Sequence, residues 1–525
     1  VGGTVRGNYA TLNPLDAGSG VSLSNGNLDI SIGGSQAIGL GTFMFSSGKW
    51  YAEYTISTTS SGNGLVGVCA PIANRNSYLG GTNGGIGMGL GSDRWINGAN
   101  SAGGLYASAG DVIGIALDMD TSQVTFYKNG SFHATITGSI LTQPYAFAMG
   151  HANNSGTFNF GQRPFNYTAP SGFKALCTQN LPTPTIGATS ATTADKFFAP
   201  VTFTSSATGS VTISSLGFQP DFTWWKSRAT VVDHYLMDVL RGSSTYLASN
   251  RTLADQSYSN IWIPSSSGWT SNNASFYNND SNVAWNWKAN GTGVSNTSGS
   301  ISSTVSANTT SGFSVVTYTG TGATSGTVGH GLGVTPSMMI NKSRSVVGGW
   351  DVYHSSNVSP NGSWWQNYLQ LNSTAASGSF TSMRQPSSTL INLPTTNDYN
   401  GTSTLQLWYV FAEVAGYSKF GSYTGNSSTD GPFVYCGFRP AYVMWKPCAS
   451  SSYDWVVVDT SRDLYNPETQ YLLPNTSGAE GSLVLLDILS NGFKLRTASA
   501  GNNTTGVSVI FAAFATAPFK YSLAR

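Results

Sequence analysis

The side chains able to do chemistry in this sequence are few and scattered. The histidines, His133, His151, His234, His330 and His354, stand in no HxH, HExxH or HxxxH arrangement, so neither a zinc site nor a histidine acid–base pair is indicated. Cys69, Cys177, Cys436 and Cys448 show no CxxC spacing. Cys436 and Cys448 flank the apolar run Ala441-Tyr-Val-Met-Trp-Lys446, and a strand there, at ~3.3 Å per residue, puts them beyond disulfide reach. All four read as free thiols. No GxSxG elbow and no GK[ST] loop occurs. The glycine-rich run from Gly80 to Gly91 is followed by no helix pattern, so it reads as a loop and a bulged strand and not as a phosphate cradle. Glycan cleavage needs two carboxylates across the scissile bond. Asp118 and Asp120 fall on one strand face beside a turn, and Glu53 is a further carboxylate; a solvated hairpin end explains the pair better than a catalytic dyad. The sequence therefore yields no catalytic residue, no metal site and no cofactor.

Aromatic side chains on loops are the remaining chemical asset. Arg94 and Trp95 stand between glycine-rich segments in Gly91-Ser-Asp-Arg-Trp-Ile-Asn-Gly98, and Tyr78 closes Asn74-Arg-Asn-Ser-Tyr78, with Asn76 inside it. An exposed Trp or Tyr stacks on a sugar face while Asn and Arg supply hydrogen bonds. These four residues are the candidate ligand-binding set. The competing reading makes Trp95 a plug for the end of a sandwich.

The elements that would position such loops are short strands. Asp111–Asp120 alternates, Val124–Lys128 alternates again, and Asn129-Gly130 between Lys128 and Ser131 is a two-residue hairpin signal in which both residues take positive φ. Trp50–Ile56, Leu65–Cys69, Tyr145–Met149 and Thr157–Phe160 are further strand candidates. With no helix signals between them, they predict an antiparallel sandwich. Composition agrees: glycine numbers 62, charged residues are 9% and aromatics 12% of 525 residues, with a net charge of +1. Lys and Arg are too sparse to grip phosphates, so nucleic acid is excluded as a partner. The longest mostly apolar stretch, Val507–Phe519, is shorter than the ~20 residues that span a bilayer and holds polar residues and a proline, so membrane insertion is not expected.

Beyond residue 190 the chain repeats itself. Gly217-Phe-Gln-Pro-Asp-Phe-Thr-Trp-Trp-Lys226, Gly333-Val-Thr-Pro-Ser-Met-Met-Ile-Asn-Lys342 and Gly437-Phe-Arg-Pro-Ala-Tyr-Val-Met-Trp-Lys446 share the spacing of Gly, Pro and Lys. Tyr246, Tyr368 and Tyr471 each open a Tyr-Leu-x-x-Asn motif downstream, and each copy closes on an aromatic strand around Trp285, Trp408 or Phe511. A period of roughly 105–115 residues is that of a β-sandwich and not of a thin solenoid repeat. Period-two alternation puts the closing lysine on the face of Phe222 and Trp224, with its ammonium expected in water. Pro-rich segments at 168–173 and 180–185 read as a linker. The predicted partition is 1–168, a linker at 169–189, then sandwiches at 190–295, 311–417 and 418–525, all-β throughout.

The first region resembles the SPRY family of concanavalin A-like sandwiches, on Gly48-Lys-Trp-Tyr-Ala-Glu-Tyr54, Val66-Gly-Val68, Gly110–Asp118, Val124–Gly130 and Phe158–Phe165 taken in order. Asn8-Tyr-Ala-Thr-Leu-Asn-Pro14, the bridge Phe173–Pro182 and the repeat signature of 217–226 and 283–288 are similar to virion proteins of tailed bacteriophages. The resemblance implies a non-enzymatic tail fibre or surface spike outside the cell, partnered by other virion proteins, by its own copies as a homo-oligomer (a trimer first), and by a host-surface glycan or protein. The competing readings are a cell-surface or filament-forming structural protein, and a glycan depolymerase.

Overall fold

The computed structural model describes residues 7–516 apart from 60–63, 72–73, 82–83, 139–140, 142–143, 183–184, 188–191, 207–209, 273–279, 360 and 450–451. The chain forms two compact units, one built on residues 1–183 and one on 184–519, with the short segment 433–437 assigned to the first. The all-β expectation holds. Among the described residues no helix is long and apolar enough to cross a membrane.

The first unit is a two-sheet antiparallel sandwich. Its strands are β1 (Leu12–Ala17), β2 (Val21–Ser24), β3 (Asp29–Ile32), β4 (Ile38–Gly41), β5 (Lys49–Thr58), β6 (Leu65–Cys69), β7 (Gly85–Gly89), β8 (Asp93–Ile96), β9 (Ala99–Ala102), β10 (Val112–Asp118), β11 (Gln123–Lys128), β12 (Ser131–Thr137), β13 (Ala146–Gly150) and β14 (Asn154–Asn159). One sheet runs β1-β4-β13-β6-β7-β8-β9 and the other β12-β11-β10-β5-β14-β3-β2. Their inner faces close on Trp50, Tyr54, Val66, Ile115, Leu117, Phe126, Phe147 and Phe158, all buried. Asn129 and Gly130 have φ of 49° and 77°, so the β11–β12 turn takes the positive-φ form its sequence signals. The carboxylates considered for catalysis serve structure. Asp118 pairs with Lys49 at 2.8 Å and accepts from the amides of Asp120 and Thr121. Asp120 accepts from Gly48 N, and Glu53, fully buried, accepts from the amides of Asn166 and Tyr167.

In the second unit three copies repeat one sheet order. The strands run 198–204, 281–287, 222–227, 235–238 in the first copy, 313–319, 405–411, 338–343, 350–354 in the second and 418–424, 508–514, 442–447, 456–459 in the third. Each proline of the repeat signature stands two residues before its strand, as at Pro220 and Phe222. The strand Tyr442–Pro447 is buried along its whole length, as are its two counterparts. One face fills the copy's own interior, with Trp225, Ala284 and Trp269 in the first and Met339, Trp408 and Val410 in the second. The other face meets the neighbouring copies. Trp287, Phe411 and Phe514, one from each copy at the same strand position, form a triangle with ring centroids 6.4, 5.6 and 5.8 Å apart.

Polar contacts between the copies run in the same cyclic order. Trp350 Nε1 donates to Ala248 O and Trp455 Nε1 to Gln370 O, both at 2.9 Å, while His234, in the tryptophan's place, uses Nε2 on Leu473 O at 3.1 Å. Asp238 and Arg241 pair at 2.6 Å, wholly buried, and Tyr409 of the second copy donates to Asp238 at 2.9 Å. Asp459 and Arg462 do the same, with Trp285 of the first copy as donor. At the remaining interface His354 replaces the aspartate and reaches Phe511 O at 3.0 Å; burial pushes its imidazole down to about 4, so it stays neutral. The unit is therefore a pseudo-threefold ring made by one chain.

Two expectations are corrected by the structure. The segment 296–310, placed outside any domain, is not a linker. Val294–Asn296 and Ser303–Asn308 are strands that extend the second copy's sheet, and their Ser/Thr/Asn content reflects an edge position. The signature lysines do not reach water either. Lys226, Lys342 and Lys446 lie on the face turned to the neighbouring copies and are fully buried. Lys342 Nζ donates to Thr252 O of the first copy at 3.1 Å, and Lys446 Nζ to Thr374 O of the second at 2.9 Å. Burial pushes all three ammonium groups down to about 8.

Candidate functional site

The four residues singled out from the sequence do not converge. Trp95 lies on strand β8 and not on a loop, and successive strand residues face opposite sides of a sheet. Trp95 and Tyr78 meet edge to face at 4.7 Å and, half-buried, cover a small cluster of Ile38, Leu40, Leu79, Ala146 and Ala148 on the outer face of the first sheet. Arg94 shares the other face with Ile96, and its Nε donates to Ser101 Oγ at 3.0 Å. Asn76 is a loop clamp whose Oδ1 accepts from Ser19 N at 2.8 Å. Trp95 is thus a packing residue, and a single site containing all four is ruled out by the pleat.

Arg94 belongs to a different surface. A Cβ on Gly103 would lie 3.9 Å from its guanidinium, so the loop after β9 passes beside it. Three residues on, Tyr106 has φ of 47° and is 71% exposed. Among the described residues no other Tyr, Phe or Trp has positive φ, a conformation disfavoured for bulky side chains. Its backbone is pinned from both ends: Tyr106 N donates to Gly91 O at 3.0 Å and Lys128 Nζ donates to Tyr106 O at 2.7 Å. Lys128 is fixed in turn by Asp111 at 3.2 Å, and Asn129 Nδ2 donates to the same carboxylate at 2.7 Å. Hydrogen bonds from Ser108 and Asn129 hold the Asp111 carboxyl below its usual range.

The neighbouring edge strand β12 carries a second exposed ring. Phe132 is 66% exposed and stands opposite Tyr127, where a bulge breaks the register and the two rings meet edge to face at 6.3 Å. His133, on the bulge, bonds Gly103 O through Nε2 at 3.1 Å, which ties the loop to the strand edge. Tyr106 is thus an exposed ring on a pinned backbone beside Arg94 and Lys128, while Phe132, paired with Tyr127, is exposed on the opposite face of its sheet from Lys128. Rigid exposed aromatics beside cations are the usual anchors of a binding surface. They offer no nucleophile or acid–base pair, and among the described residues no three His, Cys, Asp or Glu gather to hold a metal. All four cysteines are free, as their spacing indicates.

The sequence reading missed Tyr106 and Phe132. Phe132 sits between Ser131 and His133 just past the Asn-Gly turn, and Tyr106 follows Gly103-Gly104; polar neighbours on an outer strand were the available signal.

Comparison with known proteins bears on both units. The family whose model matches residues 193–518 is described as a domain of unknown function, DUF7483, and a SPRY-domain model matches residues 49–163. Among solved structures, the SPRY domain of human HERC1 is 19% identical, with 29% of this chain and 99% of that chain covered and a TM-score of 0.26. The TRIM65 PSpry domain is 16% identical over 29% of this chain and 90% of its own, with a TM-score of 0.25. Stonustoxin is 17% identical over 29% of this chain and 27% of its own, with a TM-score of 0.25. No curated protein sequence matches the chain.

Proposed function

The chain belongs to the DUF7483 family and carries a SPRY domain ahead of that region; on the resemblance of 8–14, 173–182, 217–226 and 283–288 to virion proteins of tailed bacteriophages, we propose that it is a non-enzymatic adhesion and structural protein of an extracellular particle, a tail fibre or surface spike of a bacteriophage virion. In this reading the SPRY domain holds a host-surface glycan or protein, and the three-copy ring is the rigid body that carries it. Other virion proteins and further copies of the chain, a trimer first, are its partners in the particle.

The observation that carries the reading is the exposure of two large rings, Tyr106 and Phe132, on the SPRY domain. Two aromatic rings are left in water while the backbone beneath Tyr106 is held in a conformation that costs of order 1 kcal/mol, which fold stability alone does not reward. The disposition of charge supports it. Arg241, Arg462 and Arg75 are paired in buried or nearly buried positions, which leaves an exterior rich in Ser, Thr and Asn and suited to avoiding nonspecific contacts.

The test is adsorption of the purified chain, and of particles bearing it, to host cells. Tyr106→Ala and Phe132→Ala remove exposed rings and should leave the thermal melt unchanged while adsorption falls several-fold. Unchanged adsorption by the double variant would remove both rings from consideration. Release of reducing sugar from host polysaccharide would replace the reading with a depolymerase.

A further inference from the structure

The three Tyr-Leu-x-x-Asn motifs end on Asn250, Asn372 and Asn475, and these residues of different copies line one open polar depression of about 580 Å³ where the copies meet. Each asparagine has the same structural duty, because its Oδ1 accepts from the first amide of its copy's fourth strand or its preceding residue: His234 N at 3.0 Å, Trp350 N at 2.8 Å and Trp455 N at 2.9 Å. The other ends differ. Asn250 Nδ2 donates to Asp233 at 2.7 Å and Asn475 Nδ2 to Asp454 at 2.6 Å. In the second copy Gly349 stands where the aspartate would be, so among the described residues the Asn372 amide has no carboxylate partner.

The remaining lining is hydrogen-bonding but nearly uncharged. Arg251 contributes a guanidinium anchored through Nε on Asp233 at 2.8 Å, with its side chain 52% exposed. Its charge is offset by that aspartate, while its terminal nitrogens remain as paired donors. Thr252 and Ser477 add hydroxyls, and Leu253, 41% exposed, adds the apolar patch. The lysines behind the wall point at backbone carbonyls, Lys342 at Thr252 O, and do not enter the depression as free cations. Paired donors and hydroxyls around a small apolar patch, with no net charge to match an anion, fit a ligand rich in hydroxyl groups and free of charge.

We propose that this depression is a binding site for the end of a neutral oligosaccharide, formed only when the three copies close into their ring. No aromatic ring lines it, so single-site binding is weak and gains from many copies of the chain acting together. The site is independent of the exposed Tyr106 and Phe132 on the SPRY domain, and either can fail without the other.

The test uses the full-length chain on a dense printed array of neutral and acidic oligosaccharides. Arg251→Ala removes the paired donors, and Thr252→Trp fills the depression from an exposed position; unchanged thermal melts verify that both fold. Retention on neutral glycans should fall roughly tenfold in each, as expected for losing hydrogen bonds to a charged group, and should persist in Tyr106→Ala. Three results overturn the proposal: no retention on any neutral glycan, retention on acidic glycans alone, or retention that both depression variants leave unchanged.

Discussion

Replacing Arg241 by methionine tests whether the three copies stand or fall together. The side chain is wholly buried. It donates to Asp238 Oδ2 at 2.6 Å, to Leu236 O at 2.7 Å and across the interface to Tyr409 OH at 3.0 Å. Methionine keeps much of the volume and removes every donor. Asp238 keeps only Tyr409 OH and the amides of Leu240 and Arg241 to satisfy a buried charge. Breaking a buried pair this way costs about 3–5 kcal/mol. For a unit of ~330 residues unfolding with ~2.1 cal/mol/K per residue, that lowers the melting temperature by about 4–7 °C. Asp238→Asn added to Arg241→Met removes the stranded charge and should restore most of the loss. Calorimetry gives the size, and hydrogen exchange read copy by copy gives the extent. Protection should fall in all three copies together, because Asp238, Arg241 and Tyr409 join the first to the second and the Trp287–Phe411–Phe514 triangle joins all of them. Exchange that accelerates in the first copy alone would refute the single ring and restore three independent domains.

Above the range where the buried neutral His234, His330 and His354 add their own rise, the second unit should pass through a stability minimum near pH 8, as read by denaturant unfolding from pH 7 to 9.5. Burial, with Asp463 and Asp459 behind it, pushes buried Glu468 up to about 8 from 4.5, so stability falls as pH rises through that window and Glu468→Gln abolishes the fall. Lys226, Lys342 and Lys446, pushed down to about 8 from 10.5, shed protons in the folded state first, so stability rises again above pH 8. Buried tyrosines such as Tyr417 and Tyr423, raised by burial, reverse the trend near pH 10 and set the upper limit of the test. Trp95→Ala should cost the SPRY domain about 2 kcal/mol, roughly half of a full core truncation, with adsorption unchanged; lost adsorption with an unchanged melt would return Trp95 to the binding site. Limited proteolysis read by mass spectrometry should spare 290–311, whose strands are paired in the second copy's sheet, and an early cut there would contradict that pairing.

Much of the architecture is legible in the sequence because strands and turns are local. Alternation marks Val112–Asp118 and Gln123–Lys128, and Asn129-Gly130 fixes the turn between them through its positive φ. The triplicated Gly–Pro–Lys spacing identifies three equivalent strands, and each starts two residues after its proline. What covers each face of a strand is not local. Period two says that Phe222, Trp224 and Lys226 share a side, but only the packed ring decides that this side meets another copy and not water. That single fact buries the lysines. The same pleat separates Arg94 from Trp95, neighbours in sequence that no longer share a surface. Asn250, Asn372 and Asn475 carry their motif openly in the sequence, more than a hundred residues apart. They reach one depression because cyclic closure of three sheets, each apolar on both faces, leaves their loops no other place to meet.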